Sequence, residues 1–191
     1  LVSEEDENNS INSESQKFNS VSKASMFLII SGIGGPGVVR TILGNIKNNF
    51  EGILVLSQSI EASKLPKFLI QLQKIISVKI VIAETDEYLL ARHIYIMPEN
   101  HTIRLTSLGY QCIKNSTLAD FLMQKLDKNV QIVVLSGADV NLAQSLIQIN
   151  QFMNNIHIQP PEECFDAALP QLLANIGVPK IRNEILETWF N

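Results

Sequence analysis

The stretch Met26-Phe-Leu-Ile-Ile-Ser-Gly-Ile-Gly-Gly-Pro-Gly37 decides the fold of this chain. Its first residues form a short apolar run that predicts a buried strand, and the glycines that follow predict a tight turn. Pro36 is typical of the first turn of a helix, so a helix is predicted over Pro36–Asn48. In an α/β sheet such a turn lies at the carboxyl end of a strand, where ligand sites and active sites form.

The glycine turn has two interpretations. Gly32, Gly34 and Gly37 satisfy the spacing G-x-G-x-x-G, which is typical of a phosphate-binding loop in dinucleotide-binding folds. Those folds also place an acidic residue at the end of the second strand to bind the ribose, whereas this chain has Ser57-Gln58-Ser59 there. We therefore predict no cofactor, and we favour the second interpretation, the nucleophile turn of a hydrolase.

Composition excludes several classes of protein. The 191 residues are 46% hydrophobic and 18% charged, which allows one substantial core, and the net charge of −4 gives no basic patch for nucleic acid. No apolar run reaches the roughly 18 residues that a membrane span needs. Cys112 and Cys164 predict two buried free thiols in a cytoplasmic protein, and no Cys/His spacing predicts a metal site.

The N-terminal 25 residues differ in composition from the rest of the chain. They are rich in Ser, Asn and Glu and poor in aliphatic residues, so they cannot bury enough surface to offset the entropy of ordering. They also lack the apolar segment of a secretory signal peptide. We predict a disordered acidic linker or tail over residues 1–25 and one domain over residues 26–191.

Apolar runs and amphipathic segments alternate after the glycine turn. Strands are predicted over Met26–Ile30, Gly52–Leu56, Val78–Ala83 and Gln131–Leu135, and helices over Pro36–Asn48, Ala62–Ile76, Thr117–Leu126, Val140–Phe152, Phe165–Ile176 and Ile181–Phe190. His93–Met97 and Thr102–Leu105 flank Pro98-Glu-Asn-His101, which predicts an antiparallel hairpin. The pattern indicates an α/β fold: a three-layer, mostly parallel, doubly wound sheet with a small antiparallel hairpin.

Short motifs along the first half of the domain match one family pattern in order. Ser31-Gly32-Ile33-Gly34-Gly35-Pro36 stands where the pattern has (A/C)-S-T-G-G-P, and Leu56-Ser57-Gln58-Ser59-Ile60 stands where it has V-Q-H-M-P. Ala83-Glu84-Thr85-Asp86 is similar to A-E-D-G. The run His93-Ile94-Tyr95-Ile96-Met97-Pro98-Glu99-Asn100-His101 is similar to G-x-(V/I)-Y-I-A-P-x-x-x-H.

The second half continues the same order of motifs. Leu135-Ser136-Gly137-Ala138-Asp139-Val140-Asn141-Leu142-Ala143 corresponds to L-(T/S)-G-M-G-x-D-G-A, and Ala168-Leu169-Pro170-Gln171-Leu172-Leu173 corresponds to G-M-P-x-x-A. From Met26 onward the chain thus resembles the catalytic domain of the chemotaxis-receptor glutamate methylesterases, the CheB family. The resemblance implies a bacterial, cytoplasmic protein of two-component phosphorelay signalling. It also implies partners among the chemoreceptor cytoplasmic region, a receiver domain and other chemosensory-array proteins.

The catalytic positions are where this chain departs from that family. Family members use a Ser-His-Asp triad, in which serine attacks the methyl ester, histidine moves the proton and aspartate holds the histidine tautomer. The resemblance puts Gly32 at the serine position, Gln58 at the histidine position and Asn141 at the aspartate position. Glycine offers no nucleophile, and an amide is no base near neutral pH. We predict no catalytic residue, and a pseudoenzyme that keeps the crevice turn Ile33-Gly34-Gly35-Pro36.

Three functions stay open at this point. The first is a regulatory or scaffold component of a bacterial chemosensory system, in chemotaxis or type IV pilus motility. The second is a residual protein-glutamate methylesterase that uses Ser31, the hydroxyl next to the lost nucleophile. The third is a sensor of a small molecule or nucleotide, with Gln58 and Asn141 facing the ligand. Against the third, we expect these two amides to hydrogen-bond each other and plug the crevice.

The lost triad also suggests a way to rebuild it. Gly32→Ser combined with Gln58→His and Asn141→Asp is expected to give a folded protein with weak activity toward an activated ester. The expected risk is a backbone angle at Gly32 that serine dislikes. Asp139 is predicted to cap the helix that begins near Val140, and His101 matches a histidine that the family carries outside the triad.

Overall fold

A computed structural model of the chain describes residues 24–126 and 128–182. The linker predicted over residues 1–25 and the helix predicted over Ile181–Phe190 lie almost wholly outside the described residues.

A parallel sheet forms the centre of the molecule. Among the described residues its six strands are β1 (Met26–Ser31), β2 (Ile53–Gln58), β3 (Lys79–Ile82), β4 (His93–Ile96), β7 (Val130–Val134) and β8 (Ile156–Ile158), in the order β3-β4-β2-β1-β7-β8. Every neighbouring pair in this sheet is parallel. β1 lies between β2 and β7 and is buried at every residue, which confirms the buried strand predicted there.

Helices cover both faces of this sheet. They are α1 (Gly35–Gly44), α2 (Leu65–Gln73), α3 (Leu118–Leu122), α4 (Ala143–Phe152) and α5 (Ala168–Asn175), with 3₁₀ turns at Ala62–Lys64, Val140–Leu142 and Pro161–Glu163. Side chains alternate along β1, so Leu28 and Ile30 pack with α4 and α5, whereas Phe27 and Ile29 pack with α1 and α2. The three-layer, doubly wound α/β class is thereby confirmed.

The helices are shorter than their periodicity predicts. α1 ends at Gly44, and the segments predicted over Ala62–Ile76 and Val140–Phe152 each begin with a 3₁₀ turn. Pro66 lies in the first turn of α2, where its missing N–H is not needed by the helix. Asp139 caps the turn Val140–Leu142 by accepting a hydrogen bond from the Asn141 backbone, as predicted.

The antiparallel hairpin is built from other strands than the sequence predicts. β5 (His101–Thr106) pairs with β6 (Gly109–Lys114), and Gly109 closes the turn between them with a φ of 127°. His93–Ile96 instead joins the parallel sheet between β2 and β3. The predicted pairing of His93–Met97 with Thr102–Leu105 is therefore wrong. The apolar run of β4 is buried at Ile94, Tyr95 and Ile96, as expected for an inner strand of a parallel sheet.

In the part of the chain that the structure describes, every helix is too short or too polar to span a membrane.

The two cysteines are free. Cys112 is fully buried but Cys164 is only partly buried, so the prediction of two buried thiols holds for one of them. Burial, with the charges of Glu87 and Asp86, raises the pKa of Cys112 to about 11. Burial and nearby carboxylates also raise the pKa of Cys164.

We expect a thiol reagent such as Ellman's reagent to separate these two cysteines. At pH 8 a thiol with a pKa of about 11 is about one-thousandth thiolate, and Cys112 is also shielded from the reagent. The native protein should therefore react first at Cys164, faster as the pH rises, and at Cys112 only after denaturation. Cys164→Ser should remove the native reaction, and loss of that reaction in Cys112→Ser instead would contradict the burial described.

Candidate functional site

The loops at the carboxyl edge of the sheet form a crevice. It opens beside β1, which has β2 on one side and β7 on the other, and ligand sites of doubly wound sheets lie at such switch points. A first cavity of about 320 Å³ is lined by Ser31, Ser57, Ser59, Thr117, Asp139 and Asn141, among others. A second cavity of about 610 Å³ shares Ser57, Ser59 and Asp139, and adds Gln58, Glu99 and His101.

Gly32 has no room for a side chain. A Cβ atom on Gly32 would overlap the carbonyl oxygen of Gly137 and lie 2.5 Å from its carbonyl carbon, whereas real Cβ contacts stay beyond 3.0 Å. Gly137 has a φ of 70°, and a Cβ atom there would overlap the backbone nitrogen of Ile33. The turn after β1 and the loop after β7 therefore touch backbone to backbone, and only glycines allow this contact.

Gln58 supports the glycine turn through a side-chain hydrogen bond. It ends β2 in register with Ser31 and is 7% exposed. Its Nε2 donates to the Gly32 carbonyl oxygen at 3.0 Å, and the Gly35 backbone N–H donates to the same oxygen at 3.1 Å. Because Nε2 faces that acceptor, the amide orientation is fixed. Oε1 is then a buried acceptor without a hydrogen-bond partner among the described residues.

Asn141 lies in the 3₁₀ turn after β7 and lines the first cavity. Its backbone N–H donates to Asp139 Oδ1 at 3.0 Å. Within the described part of the chain, its side chain makes no hydrogen bond with Gln58, whose Nε2 is bonded to Gly32 and whose Oε1 is unpartnered. The expectation that these two amides pair and plug the crevice is therefore wrong, and the crevice is open.

Ser31 is not placed as an activated nucleophile. It is 1% exposed, and its Oγ has no hydrogen-bond partner among the described residues. That hydroxyl lies against the first residue of α1, because a Cβ atom on Gly35 would overlap it. The ring nitrogens of His101 are bonded elsewhere, Nε2 to Thr85 Oγ1 and Nδ1 to the Glu99 carbonyl oxygen, both at 2.8 Å. A serine needs an adjacent base to attack an ester.

The rest of the predicted crevice turn, Ile33-Gly34-Gly35-Pro36, follows Gly32 but lines neither of the two cavities. Ile33 is 68% exposed, Gly34 precedes α1 as its N-cap, and Pro36 lies in the first turn of that helix. Phe165, which is 83% exposed, packs its Cβ atom close to Gly34. Ile33 and Phe165 therefore expose apolar side chains beside the glycine turn.

The sequence model of the CheB methylesterase family matches residues 27–184. The chain belongs to the CheB methylesterase family. The crystal structure of the Thermotoga maritima CheB methylesterase catalytic domain is similar over 88% of this chain and 98% of that chain, with a TM-score of 0.75 and 16% sequence identity. This likeness shows the fold, and the family gives the chain a chemotaxis-related origin. No curated protein sequence matches the chain.

Two buried polar residues that the sequence analysis missed hold the loops of this CheB fold together. Ser136 Oγ donates to the Ile33 carbonyl oxygen at 2.8 Å and accepts from the Asp166 N–H at 3.1 Å. Gln159 Oε1 accepts from the Ser136 N–H at 2.9 Å, and its Nε2 donates to the Glu163 carbonyl oxygen at 3.0 Å. Ser136 stands in a family motif, whereas Gln159 follows β8, a strand that the sequence analysis did not predict.

Hydrogen-bonding side chains line the crevice of this CheB-family domain. Residues 24–126 and 128–182 contain no group of three or more His, Cys, Asp or Glu side chains that could hold a metal ion. The polar side chains among the lining residues are hydroxyls, amides, carboxylates and one imidazole with bonded nitrogens. Hydroxyl, amide and carboxylate oxygens accept hydrogen bonds from a ligand without breaking a bond in it.

Proposed function

We propose that this CheB-family domain acts without hydrolysis, as a regulatory or scaffold component of a bacterial chemosensory system in chemotaxis or pilus motility. One observation carries the proposal: the backbone contact between Gly32 and Gly137. The family resemblance puts the nucleophile at Gly32, and a serine side chain there needs the space that the Gly137 carbonyl group fills. The loop after β7 would have to move to make room for a serine side chain at position 32.

The other two triad positions support the same proposal. The Gln58 amide nitrogen donates a hydrogen bond to the Gly32 carbonyl oxygen. The side chain therefore supports the turn, and an amide accepts no proton near neutral pH. Asn141 lines the cavity but carries no charge to stabilise an imidazolium. Loss of the acid charge alone lowers triad catalysis by about four orders of magnitude. Loss of all three groups leaves binding as the activity of the crevice.

Partners of the domain are proposed among the chemoreceptor cytoplasmic region, a receiver domain and other chemosensory-array proteins. Ile33 and Phe165 support a protein partner, because the fold leaves both side chains largely exposed beside the glycine turn. Exposed apolar side chains rimmed by polar groups are typical of protein-binding surfaces. Cross-linking in the native cell should recover a chemosensory or pilus-motility protein, and recovery of neither would count against the scaffold role.

We expect the purified protein to resist a fluorophosphonate probe and to release no methanol from methylated receptor. Ser31 is buried and lacks a base, so wild type and Ser31→Ala should give the same background. Ser59→Ala, which changes an exposed hydroxyl of the same crevice, is the matched control. Labelling that disappears only in Ser31→Ala would overturn the proposal and establish the alternative, a residual methylesterase. An active CheB catalytic domain verifies the assay.

A small-molecule sensor is the second candidate, and the open crevice favours it. The two adjoining cavities have volumes of about 320 and 610 Å³. The Gln58 Oε1 atom is a buried acceptor with no donor in the described part of the chain. A thermal-shift screen with nucleotides, carboxylates and amines tests this role, and no stabilisation by any class would exclude it.

A further inference from the structure

We infer that the crevice binds a hydrogen-bond-donating cation, a guanidinium or primary ammonium group, carried by a free ligand or by an Arg or Lys side chain of a partner. The inference deepens the proposed function and rests on it, because it takes the crevice to be a binding site without hydrolysis.

The charges of the crevice select for a cation. Asp139 lines both cavities, and Glu61 and Glu99 line the second one, whereas no described Lys or Arg side chain lines either. Lys64 lies 2.9 Å from Glu61, and it lowers the pKa of that carboxyl and offsets its charge. Among the described residues neither Asp139 nor Glu99 forms an ion pair, so these two carboxylates are left as the uncompensated negative charges of the crevice. A carboxylate or phosphate ligand would be repelled here.

The unpartnered oxygen of Gln58 gives a second, independent reason. The Gln58 side chain is more than nine-tenths buried and lines the second cavity. Its nitrogen is bonded to Gly32, so the atom left for a ligand is an acceptor. Burying an acceptor without a donor is unfavourable, and a ligand N–H that reaches it would remove that penalty. Guanidinium and ammonium groups carry several donors and no acceptor, which matches this demand.

The walls of the second cavity suit the stem of such a group. Ile60, Met97 and Pro98 line it beside the carboxylates. Arg and Lys side chains pack their methylene stems on apolar surface while the charged head stays with polar groups. The hydroxyls of Ser57 and Ser59, which line both cavities, supply further acceptors for the head. The crevice thus offers an apolar wall and an anionic, acceptor-rich end.

The test is a titration of the whole chain with agmatine and, in a second arm, with a terminally blocked arginine peptide, monitored by calorimetry and by amide NMR. We expect binding of both cations that weakens with added salt and shifts the Gln58 side-chain signal, and no binding of glutarate or inorganic phosphate.

Asp139→Asn keeps a cap acceptor but removes the charge, and it should weaken binding about tenfold, as loss of a charged hydrogen bond does. Glu51→Gln, at the amino end of β2, is the control that should change nothing.

Each result bears on the inference separately from the proposed function. Binding in either arm with loss in Asp139→Asn supports the cation site, and the stronger arm identifies a free ligand or a protein side chain. No binding in both arms, binding unchanged in Asp139→Asn, or binding of the anions instead would overturn it. Ser31-dependent ester hydrolysis, measured in the same samples, would overturn the non-hydrolytic function even where agmatine binds.

Discussion

Gly32→Ser is expected to lower the melting temperature by about 6–12 °C, or to prevent folding. The new Cβ atom would overlap the Gly137 carbonyl oxygen, which is main chain and cannot rotate away as a side chain can. Overpacking of this kind destabilises by about 3 kcal/mol or more, and each kcal/mol lowers the melting temperature of a chain of this size by roughly 2–4 °C. Thermal unfolding followed by circular dichroism measures the effect.

Gly37→Ala is the matched control for this prediction. Gly37 lies in α1, a few residues after Gly32, and a Cβ atom on it would meet no atom within 4 Å. Alanine there should leave stability unchanged or raise it by about 0.4–1 kcal/mol, because it restricts the unfolded chain. Gly32→Ala should be as harmful as Gly32→Ser, since the clash begins at Cβ. A Gly32→Ser protein as stable as wild type would remove the main support for the pseudoenzyme proposal.

The clash also changes the outlook for rebuilding the triad. The sequence suggested that Gly32→Ser, Gln58→His and Asn141→Asp together would fold and show weak activity, with a backbone angle at Gly32 that serine dislikes as the risk. Gly32 is not one of the glycines with a positive φ, and the obstacle is the Gly137 backbone instead. Gln58→His also removes the amide that braces Gly32. The triple substitution is therefore expected to unfold rather than to regain activity.

The fold was predictable where a local pattern has one structural solution. A continuous apolar run such as Met26–Ile30 must be covered on both faces, so it lies inside a parallel sheet. The hairpin was not predictable in the same way, because His93–Met97 and β5 are adjacent in sequence, and the alternation of polar and apolar residues in β5 suits a hairpin strand with either neighbour. Only the strand pairing shows that His93–Ile96 lies between β2 and β3. It also shows that Gly109–Lys114, a strand with both polar and apolar residues, completes the hairpin.

The site was predictable only in part. The family pattern brought Gly32 and Gln58 together, and they do share a hydrogen bond. The pattern did not reveal that Gly137 fills the space beside Gly32, because that contact joins loops far apart in the sequence. It also missed the open acceptor on Gln58, since which amide atom is bonded depends on the three-dimensional position of its neighbours.

Gln159 is the residue whose role sequence reasoning could least foresee. It is 3% exposed, and its amide joins the loop after β7 to the turn Pro161–Glu163. Through Ser136 this amide supports the loop that closes against the glycine turn. Both backbone groups that it binds would lose their partner if the side chain were apolar, and buried polar groups without partners are costly.

Gln159→Leu should therefore lower the free energy of unfolding by about 3 kcal/mol, because leaving each such group unpaired costs about 1–3 kcal/mol. Urea unfolding measures this loss. Gln171→Leu is the matched control: Gln171 is exposed in α5 and its side-chain amide bonds the Asn175 side chain at the surface, so its loss should stay within about 0.5 kcal/mol. Amide exchange should also speed up at Gly137, whose loop depends on the Ser136–Gln159 contact. Equal stability of the two variants, with exchange unchanged, would show that the crevice loops do not depend on Gln159.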